Sequence, residues 1–225
     1  HIPKYTQPLP LVIVADGMGG HAAGARASAM AVEGIVEQLD MFARSGKNDP
    51  LVSIRTAIKN VNNAVYHAGK EPGYRGMGTT LTLALLFDDH YIASNIGDSR
   101  LYHFDGWALS QVTQDHSLVA VLVESGQITP AEADVHPQKN IITRALGTAE
   151  REEADYFHRQ WQLGDTLLLC SDGLHGSLSD EEISGYLSMK LSLHDICDLL
   201  VEAALKNGAT DNITVVLAKN IGGII

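Results

Sequence analysis

Short apolar runs alternate along this chain with longer stretches of helical periodicity. Residues 11–15 (LVIVA) read as a buried strand, stopped by the Asp16-Gly17 turn signal. From about residue 24 to 44, Val32, Ile35, Val36, Leu39 and Phe42 recur at the spacing of one helix face. Leu51, Ile54, Ile58, Val61 and Val65 repeat that spacing, with Asp49-Pro50 as the start signal of a second helix. The middle of the chain is β-rich. Residues 80–87 and 91–96 flank Asp88-Asp89-His90, and residues 101–104 and 107–112 flank Asp105-Gly106, so two hairpins are expected. A polar, helix-tinged stretch runs from about 116 to 144. Strands return near 153–158 and 166–170, helices near 180–189 and 193–206, and a strand at 212–219 ends the pattern. Helices consecutive in sequence and mostly meandering strands predict an α+β fold of layers with largely antiparallel sheets. No Pro/Gly/Ser-rich linker, repeat or low-complexity tract interrupts it, so one domain over residues 1–225 is expected.

Hydrophobic residues make up 45% of the chain and charged ones 19%, enough apolar material for a real core. The formal charge of −11 argues against nucleic-acid binding, which needs Lys and Arg in excess. Two cysteines, Cys170 and Cys197, form no CxxC pair and read as buried thiols in a reducing compartment. With no signal segment and no apolar run long enough to cross a bilayer, a cytoplasmic protein without membrane insertion is expected.

The candidate chemistry lies where strands stop or start. Asp16 follows LVIVA, Asp98 follows YIASNIG, Asp172 follows TLLLCS, and Asp211 precedes Asn212 and ITVVLA. Each alone fits an ordinary turn, because Asp bonds its own backbone and a following Gly takes unusual dihedrals. Carboxylates on the ends of different strands can also converge at one sheet edge, where a cluster requires a cation. Oxygen ligands without a His/Cys set point to Mg²⁺ or Mn²⁺ rather than Zn²⁺. Two such ions, about 3.5–4 Å apart, activate a bridging water and clamp a phosphoryl oxygen.

Other chemistries fit less well. Gly17, Gly19 and Ala22 satisfy G-x-G-x-x-G/A, but Glu37 lies inside a helical pattern and no second parallel strand follows, so a dinucleotide fold fails on context. A cysteine phosphatase needs C-x₅-R, whereas Cys170 is followed by Ser-Asp-Gly-Leu-His-Gly. No G-x-S-x-G elbow is present.

Taken in order, VADGMGGHAAG at 14–24, GMGTTLTLALL at 76–86 and ASNIGDSRLYHF at 93–104 resemble the type 2C (PPM) serine/threonine protein phosphatases, in their bacterial form. LSQVTQDHSLVAVLVESGQIT at 109–129, HPQKNIITRALG at 136–147, LLLCSDGL at 167–174 and ATDNITVVL at 209–217 continue the resemblance over nearly the whole chain. It implies a central antiparallel β-sandwich flanked by antiparallel helix pairs, a four-layer αββα architecture, with residues 116–144 as a mobile flap beside the site. It implies that Asp16 bridges two metal ions with the Gly17 carbonyl on one, and that Asp172 and Asp211 hold the other. Asp98, with Asp172, matches a third, weaker site, and Asn212 orients a metal-bound water. The implied reaction is in-line attack by a metal-bridging hydroxide on phosphoserine or phosphothreonine, without a phosphoenzyme. His21 is a candidate acid for the leaving oxygen, a role at the helix start being the alternative.

The family usually opens with R-x-x-N-E-D upstream of the first matching strand, and nothing in HIPKYTQPLP matches it. Two readings from different classes therefore stand. One is an active phosphatase, expected to be monomeric, whose partners are phosphorylated proteins including a cognate serine/threonine kinase. The other is an inactive module of the same fold that binds phosphoproteins or a regulatory partner.

Overall fold

The computed structural model describes residues 10–45 and 49–223. The expectation drawn from HIPKYTQPLP lies outside the described residues, apart from Pro10. Two four-stranded antiparallel sheets form the centre. In the first, β1 (Leu11–Val14), β4 (Leu81–Leu86), β5 (His90–Ile96) and β8 (Asp155–Gln160) lie side by side in that order. The second has the order β10 (Val215–Lys219), β9 (Thr166–Cys170), β6 (Arg100–Phe104) and β7 (Leu109–Gln111). A two-stranded ribbon of β2 (Gly17–Met18) and β3 (Gly78–Thr79) extends from the first sheet.

Each sheet is covered on both faces, which explains why its central strands read as unbroken apolar runs. On β4, Leu81, Leu83 and Leu85 face α1 (His21–Ser45) and α2 (Pro50–Ala68), while Ala84 and Leu86 face the second sheet. On β9, Leu168 and Cys170 face α6 (Asp180–Leu187) and α7 (Leu193–Lys206), while Leu167 and Leu169 point into the sandwich. The period-two alternation of strand side chains thus divides one sequence run between two cores. The result is the four-layer αββα architecture expected above.

Local signals account for most element boundaries. Asp49 caps α2 by accepting from the Leu51 and Val52 amides at 2.8 and 3.1 Å, with Pro50 in the first turn. The Asp105 carboxylate accepts from the Trp107 and Ala108 amides and closes the β6–β7 hairpin. One expectation shifts. The buried face of α1 is Ala23, Ala27, Ala31, Ile35 and Leu39, and Val36 is 43% exposed. Small side chains carry the first half of that face because α1 packs closely: a Cβ on Gly34 would lie 2.9 Å from Val61 Cγ2 on α2.

The 116–144 stretch holds two short helices, α3 (Leu118–Glu124) and α4 (Pro130–Asp134), neither with a buried residue. Ser117 caps the first, and Thr129 with Glu132 forms a capping box on the second. Its two ends are stitched together: Leu118 N donates to Ile141 O and Thr143 N to His116 O, both at 2.8 Å. The short α5 (Asp172–His175) has no periodic signal and was not expected.

A candidate metal centre at one end of the sandwich

Antiparallel register decides where the four aspartates go. Val14 pairs with Thr82 and Leu81 with Ile96, so the turns at Asp16, Thr80 and Gly97 share one end of the first sheet. Cys170 is paired with Arg100 on one side and Val215 on the other, which sets Asp172 between the Asp98 and Asp211 turns. The two ends coincide, and Asp16, Asp98, Asp172 and Asp211 come within electrostatic reach of one another.

The backbone around them is pinned by polar groups. Thr80 Oγ1 accepts from Asp16 N at 2.9 Å and bonds Ser99 Oγ at 2.8 Å, joining the Asp16 and Asp98 turns. Thr80 N and Thr79 Oγ1 both donate to Asp16 O, at 2.8 and 2.9 Å. His175 Nε2 donates to Asp98 O at 3.0 Å, so α5 links Asp172 to Asp98. Ser171 Oγ donates to Asn212 O and accepts from Thr214 N, fastening the Asp211-Asn212 turn beside Asp172. Two glycines permit this crowding. A Cβ on Gly17 would lie 2.0 Å from Gly24 O, and one on Gly173 2.3 Å from Asn212 O.

Electrostatically the site is frustrated. Burial, then the charges of Asp172 and Asp211, pushes the Asp16 carboxyl up to about 6. Burial, then Asp172, Asp115 and Asp16, pushes Asp98 up to about 7. Asp172 is raised by burial and then by Asp211. Its Oδ1 is buried without a hydrogen-bond partner among the described residues, an uncommon state for a carboxylate oxygen. An added positive charge would relieve all of these effects, and the donors are hard oxygens suited to Mg²⁺ or Mn²⁺. Among the described residues no group of three or more His, Cys, Asp or Glu side chains is arranged to hold a metal ion. Mg²⁺ keeps several waters and is bound through only one or two carboxylates, so the donor chemistry suits such a cation without a closed cage of side chains.

Asn212 is exposed beside Asp211, whose Oδ1 accepts from the Asn212 amide at 2.7 Å. His21 is the exposed first residue of α1, and no hydrogen bond among the described residues orients its ring. Cys170 is fully buried, and burial pushes its thiol up to about 12, so it is no nucleophile. Thr80, Ser99 and His175 were not anticipated. They adjoin the glycine-rich and Asp-containing motifs, but their roles depend on contacts 19 to 77 residues away in sequence.

Solved bacterial serine/threonine phosphatases share this fold. The crystal structure of the serine/threonine phosphatase Stp1 from Staphylococcus aureus superposes with a TM-score of 0.85 at 39% identity, over 93% of this chain and 83% of that one. The catalytic domain of the phosphatase PstP, crystallised with two manganese ions, superposes with a TM-score of 0.82 at 37% identity, over 93% and 87%. In sequence, the chain is 41% identical over 212 residues to the serine/threonine phosphatase stp of Listeria monocytogenes, covering 93% of this chain and 84% of that protein. The family model for protein phosphatase 2C matches residues 4–217. The chain belongs to the protein phosphatase 2C family.

Proposed function

We propose that this chain is one catalytic domain that hydrolyses phosphoserine and phosphothreonine in proteins with the help of Mg²⁺ or Mn²⁺. The observation that carries this reading is the frustrated carboxylate set, with Asp172 Oδ1 buried and unpartnered within it. The relatives' names and the two manganese ions of the PstP complex support it. Nothing in the geometry or the relatives favours the inactive binding module.

In this reading Asp16, Asp172 and Asp211, with the Gly17 carbonyl, hold two cations, and Asp98 with Asp172 holds a third, weaker one. Bound cations supply Lewis-acid activation of water and neutralise the phosphoryl oxygens. The chain's own part is positional. Thr79, Thr80 and Ser99 fix the Asp16 and Asp98 backbones, and Ser171 fixes the Asp211-Asn212 turn, so the ligands are in place before substrate arrives. Asn212 orients water at the rim. In this reading His21 serves as the exposed first residue of α1 rather than as the acid for the leaving oxygen. The substrates are phosphorylated proteins, a cognate serine/threonine kinase among them, and the acting unit is a monomer. No helix of the described residues is long and apolar enough to cross a membrane.

The test is the initial rate on a phosphothreonine peptide with Mn²⁺, with EDTA, and with Asp172→Asn. Turnover should require the cation and fall at least about 100-fold in the variant, as for loss of one preorganised electrostatic group. Metal-independent turnover, or none from folded protein that binds Mn²⁺, would overturn the reading.

A further inference from the structure

Asp115, just before the 116–144 segment, and His116, its first residue, grip the Asp98 turn from both sides. Asp115 accepts a forked pair from Arg100: Nε to Oδ1 and Oδ2 at 3.0 Å each, and Nη2 to Oδ2 at 2.7 Å. Gln111 Nε2 adds a bond to Asp115 Oδ1, and Arg100 Nη1 donates to Tyr102 Oη at 2.8 Å, which locks the fork in place. On the other side of Asp98, His116 and Gly97 are joined twice. His116 N donates to Gly97 O at 2.9 Å, and Gly97 N donates to His116 Nδ1 at 3.1 Å.

That second bond fixes the tautomer. Nδ1 accepts, so the ring proton of the neutral imidazole sits on Nε2 and points at Asp155 Oδ2, 3.1 Å away. Arg144 Nη1 lies 3.0 Å from Nε2, but as a donor it bonds Asp155 Oδ1 at 3.2 Å instead. Asp155 thus takes both donors. Burial pushes its carboxyl up, but the bonds and charges of His116 and Arg144 outweigh this and hold it below its ordinary value. Arg144 also donates to Glu153 O and ends the flap. His116 itself is buried, and its carbonyl accepts from Thr143 N. Its two ring nitrogens therefore face different structures, the Asp98 turn on one side and the flap's closing residues on the other.

We propose that Asp115 and His116 are positioning residues that couple the flap to the cation held at Asp98, through Nδ1 to the turn and through Nε2–H to Asp155, which also accepts from Arg144. The inference rests on Asp98 being a cation ligand.

The two nitrogens can be tested separately. In His116→Asn the amide oxygen takes the place of Nδ1 and keeps the Gly97 bond, but nothing reaches Asp155. In His116→Gln the amide nitrogen takes the place of Nε2 and keeps Asp155, but the Gly97 amide loses its acceptor. Mn²⁺ titration followed by electron paramagnetic resonance should show the weakest site about tenfold weaker in His116→Gln and within about threefold of wild type in His116→Asn, the scale of one buried hydrogen bond. Hydrogen exchange of residues 118–142 in metal-free protein should show the reverse, about tenfold faster in His116→Asn and little changed in His116→Gln. Asp115→Asn, which weakens the Arg100 fork, should behave as His116→Gln does, and it reads the same clamp if a His116 variant fails to fold. If the Asn and Gln variants are indistinguishable in both measurements, or if Asp115→Asn and His116→Gln leave Mn²⁺ affinity unchanged, the coupling is wrong. Asp98→Ala with unaltered Mn²⁺ stoichiometry would instead remove the ligand role of Asp98, a separate failure that the exchange data do not depend on.

Discussion

Replacing Asp98 by Asn should stabilise the metal-free protein at high pH, and the structure gives the size. The Asp98 carboxyl is raised from 3.8 to about 7, first by burial and then by Asp172, Asp115 and Asp16. At about 1.4 kcal/mol per tenfold change in proton affinity, ionising it in the folded state is opposed by about 4 kcal/mol. The folded value lies above the unfolded one, so the folded state binds the extra proton. The cost is absent well below 3.8, grows as pH rises through the interval, and is complete above about 7. Water entry and relaxation on ionisation reduce the realised figure to about 2 kcal/mol, or roughly 4–8 °C in melting temperature for a chain of this size. Asn removes the charge and nearly keeps the shape. In EDTA, the variant should therefore exceed wild type by about 2 kcal/mol at pH 8 and by less than half of that at pH 5, in urea unfolding at both pH values. Saturating Mn²⁺ should narrow or reverse the pH 8 difference, because wild type gains more from the cation. An equal gain at both pH values, or none at pH 8, would refute the claim that burial and like charge frustrate this site.

The remaining predictions concern packing, backbone and the proton donor. Gly17→Ala sets a Cβ 2.0 Å from Gly24 O, backbone against backbone, and should cost about 3 kcal/mol in urea unfolding. Leu83→Ala opens a cavity between β4 and the α1–α2 pair, where the side chain is fully buried, and should cost about 2–5 kcal/mol in the same assay. Asp49→Ala removes both bonds of the α2 cap and should cost about 1 kcal/mol. His21→Ala should leave phosphopeptide turnover within about threefold of wild type at pH 7; a loss of about 100-fold or more would make it the acid after all.

The sequence by itself determined where the candidate carboxylates fall and which elements hold them. Asp16, Asp98, Asp172 and Asp211 are legible because each closes or opens an apolar run, and strand endings are local signals. The hairpin at Asp105-Gly106 and the capped start of α2 are legible for the same reason. The face of α1 was only half readable. Periodicity weights large side chains, whereas close packing against α2 and the first sheet selected Ala23, Ala27 and Ala31 and turned Val36 outward. Tertiary structure alone decided that the four aspartates share one end of the sandwich, since that follows from the register of β1 with β4 and of β9 with both β6 and β10. It also decided the partners of Thr80, His175 and His116, whose bonds span 19 to 77 residues of chain. A hydrogen bond across such a distance leaves no periodic trace in the sequence. It exists only once the sheets have aligned and water has been excluded from between them.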